Sequence, residues 1–238
     1  MKISKILAVT VALGSSVASA GELDSIEELL QPEFQNLAEN LAAATVYRSL
    51  SPAEPLGTLG FDISVSASAT EIDKRVFDIA NGVSDWDLSV LPVPRIQVHK
   101  GLPFNFDIGA AYTGLPEVGA SIIGAELKWA FVDGGIAIPA IAVRASYSKL
   151  SGIDEIEVEN MGFDISISKG FAMLTPYGGI GLVMSESTPQ NIPGLKAETV
   201  DETRVFAGLN INLGMNLGFE VDTVAGLTTY SAKVGIRF

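Results

Sequence analysis

The chain has 238 residues, with 28 acidic against 15 basic side chains and no cysteine. The acidic balance excludes a nucleic-acid partner, because phosphate backbones demand a basic surface. The missing cysteine excludes both a disulfide-stapled fold and a thiolate metal centre.

Residues 1–20 read as a secretory signal peptide. Lys2 and Lys5 form a basic start, residues 6–13 a short apolar core, and Ala18-Ser19-Ala20 a small-residue cleavage pattern. Cleavage near Ala20 implies Sec-dependent export, leaves 13 bases against 28 acids, and gives the mature chain a net charge of −15. No later stretch reaches the 18 or so consecutive apolar residues of a membrane-spanning helix. The mature length suits a single domain.

Residues 21–56 form a helical segment. Ser25 and Glu28 have capping-box spacing, Pro32 suits a first helical turn, and Phe34, Leu37, Leu41 and Ala44 make one apolar stripe. Glu22, Asp24, Glu27, Glu28, Glu33, Glu39 and Glu54 accompany a lone base, Arg48. Ser51-Pro-Ala-Glu-Pro-Leu-Gly57 then stops the helix and turns the chain into extended structure.

Residues 57–238 resolve into about ten segments of alternating polarity. Phe61, Ile63, Val65 and Ala67 oppose Asp62, Ser64 and Ser66. Ile96 and Val98 oppose Arg95, Gln97 and His99. Phe104, Phe106, Ile108, Ala110 and Tyr112 lie opposite Asn105, Asp107 and Gly109. Ile123, Ala125, Leu127, Trp129 and Phe131 back onto Glu126 and Lys128, and Ile141, Val143, Ala145 and Tyr147 onto Arg144 and Ser146. Met161, Phe163, Ile165 and Ile167 alternate with Asp164, Ser166 and Ser168. The seventh segment, residues 175–185, is glycine-rich and ambiguous in facing. Val205 to Leu213, Leu217 to Val221 and Tyr230 to Phe238 complete the set.

A sheet of this size with one apolar and one polar face predicts an all-β fold: a closed antiparallel transmembrane β-barrel with lipid outside and a polar lumen. The connections around residues 100–103, 132–135, 169–171 and 214–216 are tight, whereas residues 70–91, 113–119, 149–155, 186–202 and 222–227 form longer pieces. That alternation predicts periplasmic turns and external loops. Phe61, Phe104, Trp129, Phe131, Phe219 and Phe238 fall near the periplasmic rim, and Tyr112, Tyr147 and Tyr230 near the outer rim, as interfacial belts require. Asp62, Asp107, Glu126, Asp164 and Glu220 face the lumen with Arg95, Lys128, Arg144, Lys233 and Arg237. This balanced set predicts a cross-linked interior rather than an ion-selective ring. The helical segment is then either a plug inside the barrel or a cover at its periplasmic mouth.

The sole histidine, His99, stands at the periplasmic end of a strand, with no Gly-x-Ser-x-Gly element in the chain. Neither an enzyme nor a cofactor or metal is expected.

Ser51-Pro-Ala-Glu-Pro-Leu-Gly57 before Gly60-Phe-Asp-Ile63, His99-Lys-Gly-Leu-Pro103, Ser168-Lys-Gly-Phe-Ala-Met-Leu-Thr-Pro-Tyr177 and the Tyr230 to Phe238 ending resemble an uncharacterised family of proteobacterial outer-membrane barrel proteins. The resemblance implies a Gram-negative outer membrane, with its lipid and lipopolysaccharide, as surroundings. A closing strand that ends on an aromatic resembles those handled by the barrel assembly machinery. The favoured expectation is a structural element or a narrow, plugged passive conduit. The alternatives are uptake of a small hydrophobic molecule through a plugged barrel and surface binding or adhesion through acidic external loops.

Overall fold

The computed structural model describes residues 25–80, 89–116 and 119–238; the signal peptide expected at residues 1–20 lies outside them. A 3-10 turn (Ile26–Glu28) and helix α1 (Gln31–Thr45) precede strand β1 (Phe61–Glu71), helix α2 (Lys74–Ala80) and strand β2 (Val90–Gly101). A second 3-10 turn (Pro103–Asn105) leads to β3 (Phe106–Leu115), β4 (Ala120–Asp133), β5 (Ala140–Ile153), β6 (Ile156–Ser168), β7 (Leu174–Pro189), β8 (Glu198–Asn212), β9 (Asn216–Val224) and β10 (Leu227–Arg237). The ten strands pair with their sequence neighbours in antiparallel order, and β1 pairs with β10, so the barrel has no free edge. Beyond β10, Phe238 exchanges backbone hydrogen bonds with Phe61 and packs its ring 4.8 Å from the Phe61 ring. This marks the closure end; β1 rises from it to the far end.

Inner and outer faces follow two different rules along the strands. Near the closure end, apolar side chains point out and polar ones in. On β6, Phe163, Ile165 and Ile167 are exposed while Ser166 and Ser168 are buried. Toward the far end the phase reverses: Ile156 and Val158 are buried, with Glu157 and Glu159 on the outer wall beside Lys149. Val93, Ile122, Leu150, Val183, Val200 and Val224 also point inward there. The barrel is thus inside-out over one half and built like a water-soluble protein over the other.

The reversal corrects the loop assignments. Most of residues 149–155, 186–202 and 222–227 is strand, and the acids Glu157, Glu159, Glu186, Asp201 and Glu202 sit on it. Short and long connections do not alternate, since residues 154–155 and 225–226 are tight far-end hairpins while 134–139 at the closure end is longer. Phe104 is not on a strand. It occupies the Pro103–Asn105 turn with φ +63° and is almost fully exposed. No side chain of Ser25 caps a helix either; the Glu33 carboxylate instead accepts from the Leu30 N–H at 2.9 Å, with Pro32 in the first turn of α1.

The apolar far-end interior is filled by the chain's own N-terminal part. Ile26, Leu29, Phe34, Leu37 and Leu41 pack with Val76 and Phe77 of α2 and with Val93, Ile122, Leu150, Ile156 and Val158 of the wall. Asn40 accepts from the Asp73 N–H at 2.8 Å, and the Ser25 N–H donates to the Ala80 carbonyl at 3.0 Å, which ties α2 over α1. From Thr45 the chain descends through the lumen and leaves at the closure end. There Gly60 N–H donates to Gly57 O and Gly101 N–H to Gly60 O. A Cβ on Gly101 would lie 1.9 Å from the Gly57 carbonyl oxygen, so only glycine admits this crossing.

Candidate functional site: the filled lumen

Residues 46–60 have little regular structure yet residues 46–53 are buried, so their backbone polar groups need partners other than a ladder. The wall supplies them. Lys128 Nζ donates to the carbonyls of Pro52 and Glu54, both at 3.0 Å, and Ser148 Oγ to the Thr45 carbonyl at 2.9 Å. Gln97 Nε2 donates to the Arg48 carbonyl. In the other direction, the Leu56 N–H donates to the Asp107 carboxylate and the Glu54 N–H to Ser168 Oγ. The polar inner face thus serves as the hydrogen-bonding shell of an irregular strand of chain.

Arg48 anchors that chain. Its side chain is fully buried; Nε donates to Asp222 Oδ2 at 2.8 Å and Nη2 to Asp222 Oδ1 at 3.0 Å. Nη2 also reaches Thr229 Oγ1 at 2.9 Å and the Ala43 carbonyl at 2.7 Å. A bidentate guanidinium–carboxylate pair with its spare protons bonded is the arrangement in which a buried ion pair holds together.

The remaining charges form further pairs. Lys233 meets Asp62 at 2.9 Å, and Lys128 meets Asp107 at 2.9 Å. Arg144 lies between Glu126 at 3.2 Å and Asp164 at 3.7 Å. Glu220 is bound by Arg204 at 2.6 Å, and Arg204 also reaches Asp222 at 3.2 Å. Arg237 is half-buried at the rim and lines a cavity of about 10 Å³ with Asp62, His99, Asp107, Glu126 and Lys128, room for about one water. Arg95 points inward but has no carboxylate partner among the described residues. Arg48, Arg204 and Asp222 joined this network without being expected in it. Asp222 and Arg204 fell where the reversed polarity hid the strand, and Arg48 lay on a segment of open placement. Tyr47 was likewise unforeseen; its hydroxyl lies 3.0 Å from His99 Nε2, which is 3.5 Å from Glu126.

Rings inside the lumen lie on glycines of the wall. An added Cβ on Gly124 would meet Tyr47 at 2.6 Å, on Gly109 the His99 ring at 2.3 Å, on Gly179 Phe206 at 2.4 Å, and on Gly208 Tyr177 at 2.3 Å. The last two resolve the seventh segment: Tyr177, Val183, Ser185 and Ser187 face in, and Ile180, Leu182 and Met184 face out.

Of the expected interfacial aromatics, Phe61, Tyr112, Trp129, Phe131, Phe219, Tyr230 and Phe238 are exposed on the outer wall, and Tyr147 is half-buried there. Phe106 stacks on Trp129 at 5.8 Å, and Trp129 packs on Phe131 at 5.9 Å.

These features define a closed ten-stranded barrel, apolar outside over one half and ion-paired inside around its own N-terminal segment. Residues 67–237 match the family of unknown function DUF6588, and the chain belongs to that family. No curated protein sequence matches it. The chain is similar in fold to the N-terminal β-barrel domain of Pseudomonas aeruginosa OprF, at 15% identity and a TM-score of 0.38, over 74% of this chain and 97% of that one. It is similar to Ail, the attachment invasion locus protein of Yersinia pestis, at 11% identity and 0.33, over 75% and 98%. It is also similar to Acinetobacter baumannii Omp33, at 8% identity and 0.33, over 76% and 100%.

Proposed function

We propose that the protein is an integral outer-membrane barrel of Gram-negative cells whose lumen is closed at rest by residues 25–56, so that it acts as a structural element or a plugged passive conduit. The observation that carries this reading is the outer wall. Ile63, Val65, Ile96, Val98, Ile108, Leu127, Phe163, Ile165, Leu182, Val205, Val234 and Ile236 are exposed on a ring without edges. A water-solvated sheet does not leave such a girdle uncovered. On β1 the outward apolar run from Phe61 to Ala69 covers about nine residues, the length of a tilted membrane strand. Glu71, Lys149, Glu159, Glu186 and Asp201 bound the girdle on the far side. In this reading the closure end is periplasmic, the far half projects beyond the lipid beside lipopolysaccharide, export removes residues 1–20, and the β10 ending is the part the barrel assembly machinery handles.

Conductance across planar bilayers tests the plug. The intact protein is expected to show negligible current, and a variant lacking residues 21–56 to show stepwise openings. An unchanged trace from a deletion variant shown to be folded would remove the plug from the proposal. Neither uptake of a hydrophobic molecule nor adhesion gains comparable support. In the glycine-rich β7, a Cβ on Gly179 would meet the Phe206 ring and one on Gly181 the Phe163 carbonyl, both at 2.4 Å, so these glycines are closely packed rather than a gap in the wall.

A further inference from the structure

Arg95 is the exception in the lumen. Among the described residues every other buried lysine and arginine has a carboxylate within 4.0 Å, whereas Arg95, 4% exposed, has none. Its Nη2 makes a long 3.4 Å contact to the Val46 carbonyl, and its Nη1 has no hydrogen-bond partner. The charged groups nearest in effect are Arg48 from the plug, Arg204 from β8 and Asp222 from β9, with Tyr47 beside them. Asp222 is already shared by Arg48 and Arg204, and Glu220 is held by Arg204. Three guanidiniums therefore stand against two carboxylates.

The wall beside Arg95 is unpartnered in register. Arg95 pairs across the β1–β2 seam with Ser66, and Gln97 with Ser64; the hydroxyls of both serines are buried without a partner, as is Gln97 Oε1. Further toward the far end the inward hydroxyls of β1 are satisfied again, from its other neighbour β10, Ser68 bonding Ser231 at 2.9 Å and Thr70 bonding Thr229 at 3.0 Å. The unpartnered stretch is thus bounded on the far side. Around Arg95 it offers three donors, one guanidinium edge and two hydroxyls, against the Gln97 amide oxygen, with Asp62 Oδ1 unpartnered one step nearer the closure end. Buried polar groups are paired in folded proteins, and a buried cation needs a counter-charge, which neutral water does not supply.

We infer that the inner face of the β1–β2 seam is a binding site for a small monovalent anion, held by Arg95 with the hydroxyls of Ser66 and Ser64. Because Arg95 lies under the plug, the anion is a structural counter-ion that completes the charge balance of the filled lumen. The inference rests on that lumen and not on the membrane reading.

Crystals of the full chain in detergent, grown with bromide in place of chloride, test it by anomalous scattering. A single peak beside Arg95 Nη1 is expected, lost in Arg95→Gln and weakened in Ser66→Ala. In solution, thermal unfolding of the wild type is expected at higher temperature in potassium bromide than in potassium gluconate at equal ionic strength, with the difference abolished in Arg95→Gln. No peak in a barrel with its plug in place, or a peak that persists in Arg95→Gln, would overturn the site. An emptied lumen in the same crystals would instead show that the plug itself is misassigned, and the counter-ion with it.

Discussion

Arg48 is the residue on which the interior turns. Truncating it leaves Asp222 short of its bidentate partner and the Ala43 carbonyl without its donor, in a fully buried site. Arg48→Ala is expected to destabilise the barrel by about 3–5 kcal/mol, the cost of breaking a buried pair from one side, read from urea unfolding in lipid vesicles. The ring-on-glycine contacts give a second expectation. Gly124→Ala pushes the Tyr47 ring and is expected to cost about 1–3 kcal/mol, as overpacking does. In a Tyr47→Ala background the same substitution is expected to cost close to nothing, a coupling that a double-mutant cycle measures directly. None of this was visible in residue types alone. A glycine on a strand reads as weakness until the ring that lies on it is known, and the partner of Arg48 is distant in sequence by most of the chain.

At the scale of the element, the strands show why sequence patterning was legible over one half and not the other. From Asp62 to Ser66, Arg95 to His99 and Asp164 to Ser168 the inward residues are polar and the outward ones apolar, so facing could be assigned from period two alone. Past Lys149, Met161 and Met184 the strands continue with the same period but opposite polarity, because α1 supplies an apolar surface to the inside while charged groups such as Lys149, Glu157 and Glu159 replace the girdle outside. A rule that expects apolar residues outward takes that stretch for loop. Helix α1 itself was legible from Phe34, Leu37 and Leu41, but which surface its stripe covers was not, since α1 packs on residues from most of the strands at once. The reversal makes a prediction along one strand. Ile165→Lys on β6 is expected to cost about 2–4 kcal/mol of stability in vesicles, the penalty of a lysine facing hydrocarbon. Glu159→Lys, a few residues nearer the far end, is expected to stay near zero apart from losing its pairing with Lys149. Equal costs at the two positions would place the lipid boundary elsewhere.

For the whole molecule, ring closure from β1 to β10 makes the barrel a single cooperative unit whose backbone hydrogen bonds have no frayed edge. The folded protein is expected to migrate faster than the boiled one on a denaturing gel, and to need detergent or lipid to remain dispersed. Identical migration with and without boiling, in a sample that stays in plain buffer, would contradict the outward apolar girdle as a lipid contact.

The path of the N-terminal segment constrains how the ring can come together. Ser25 lies at one end of the cylinder beside Ala80, whereas β1 starts at the other, and the intervening chain passes down the middle. The lumen segment, which precedes every strand in the chain, must already be in position when the last strand seals against the first, or be drawn through a sealed tube afterward. Assembly is therefore a wrapping problem, in which the hairpins curl about a core strand of their own polypeptide. A bulky folded partner fused ahead of Ser25 would have to stand at the far opening, and its size would decide whether the cylinder could be completed at all.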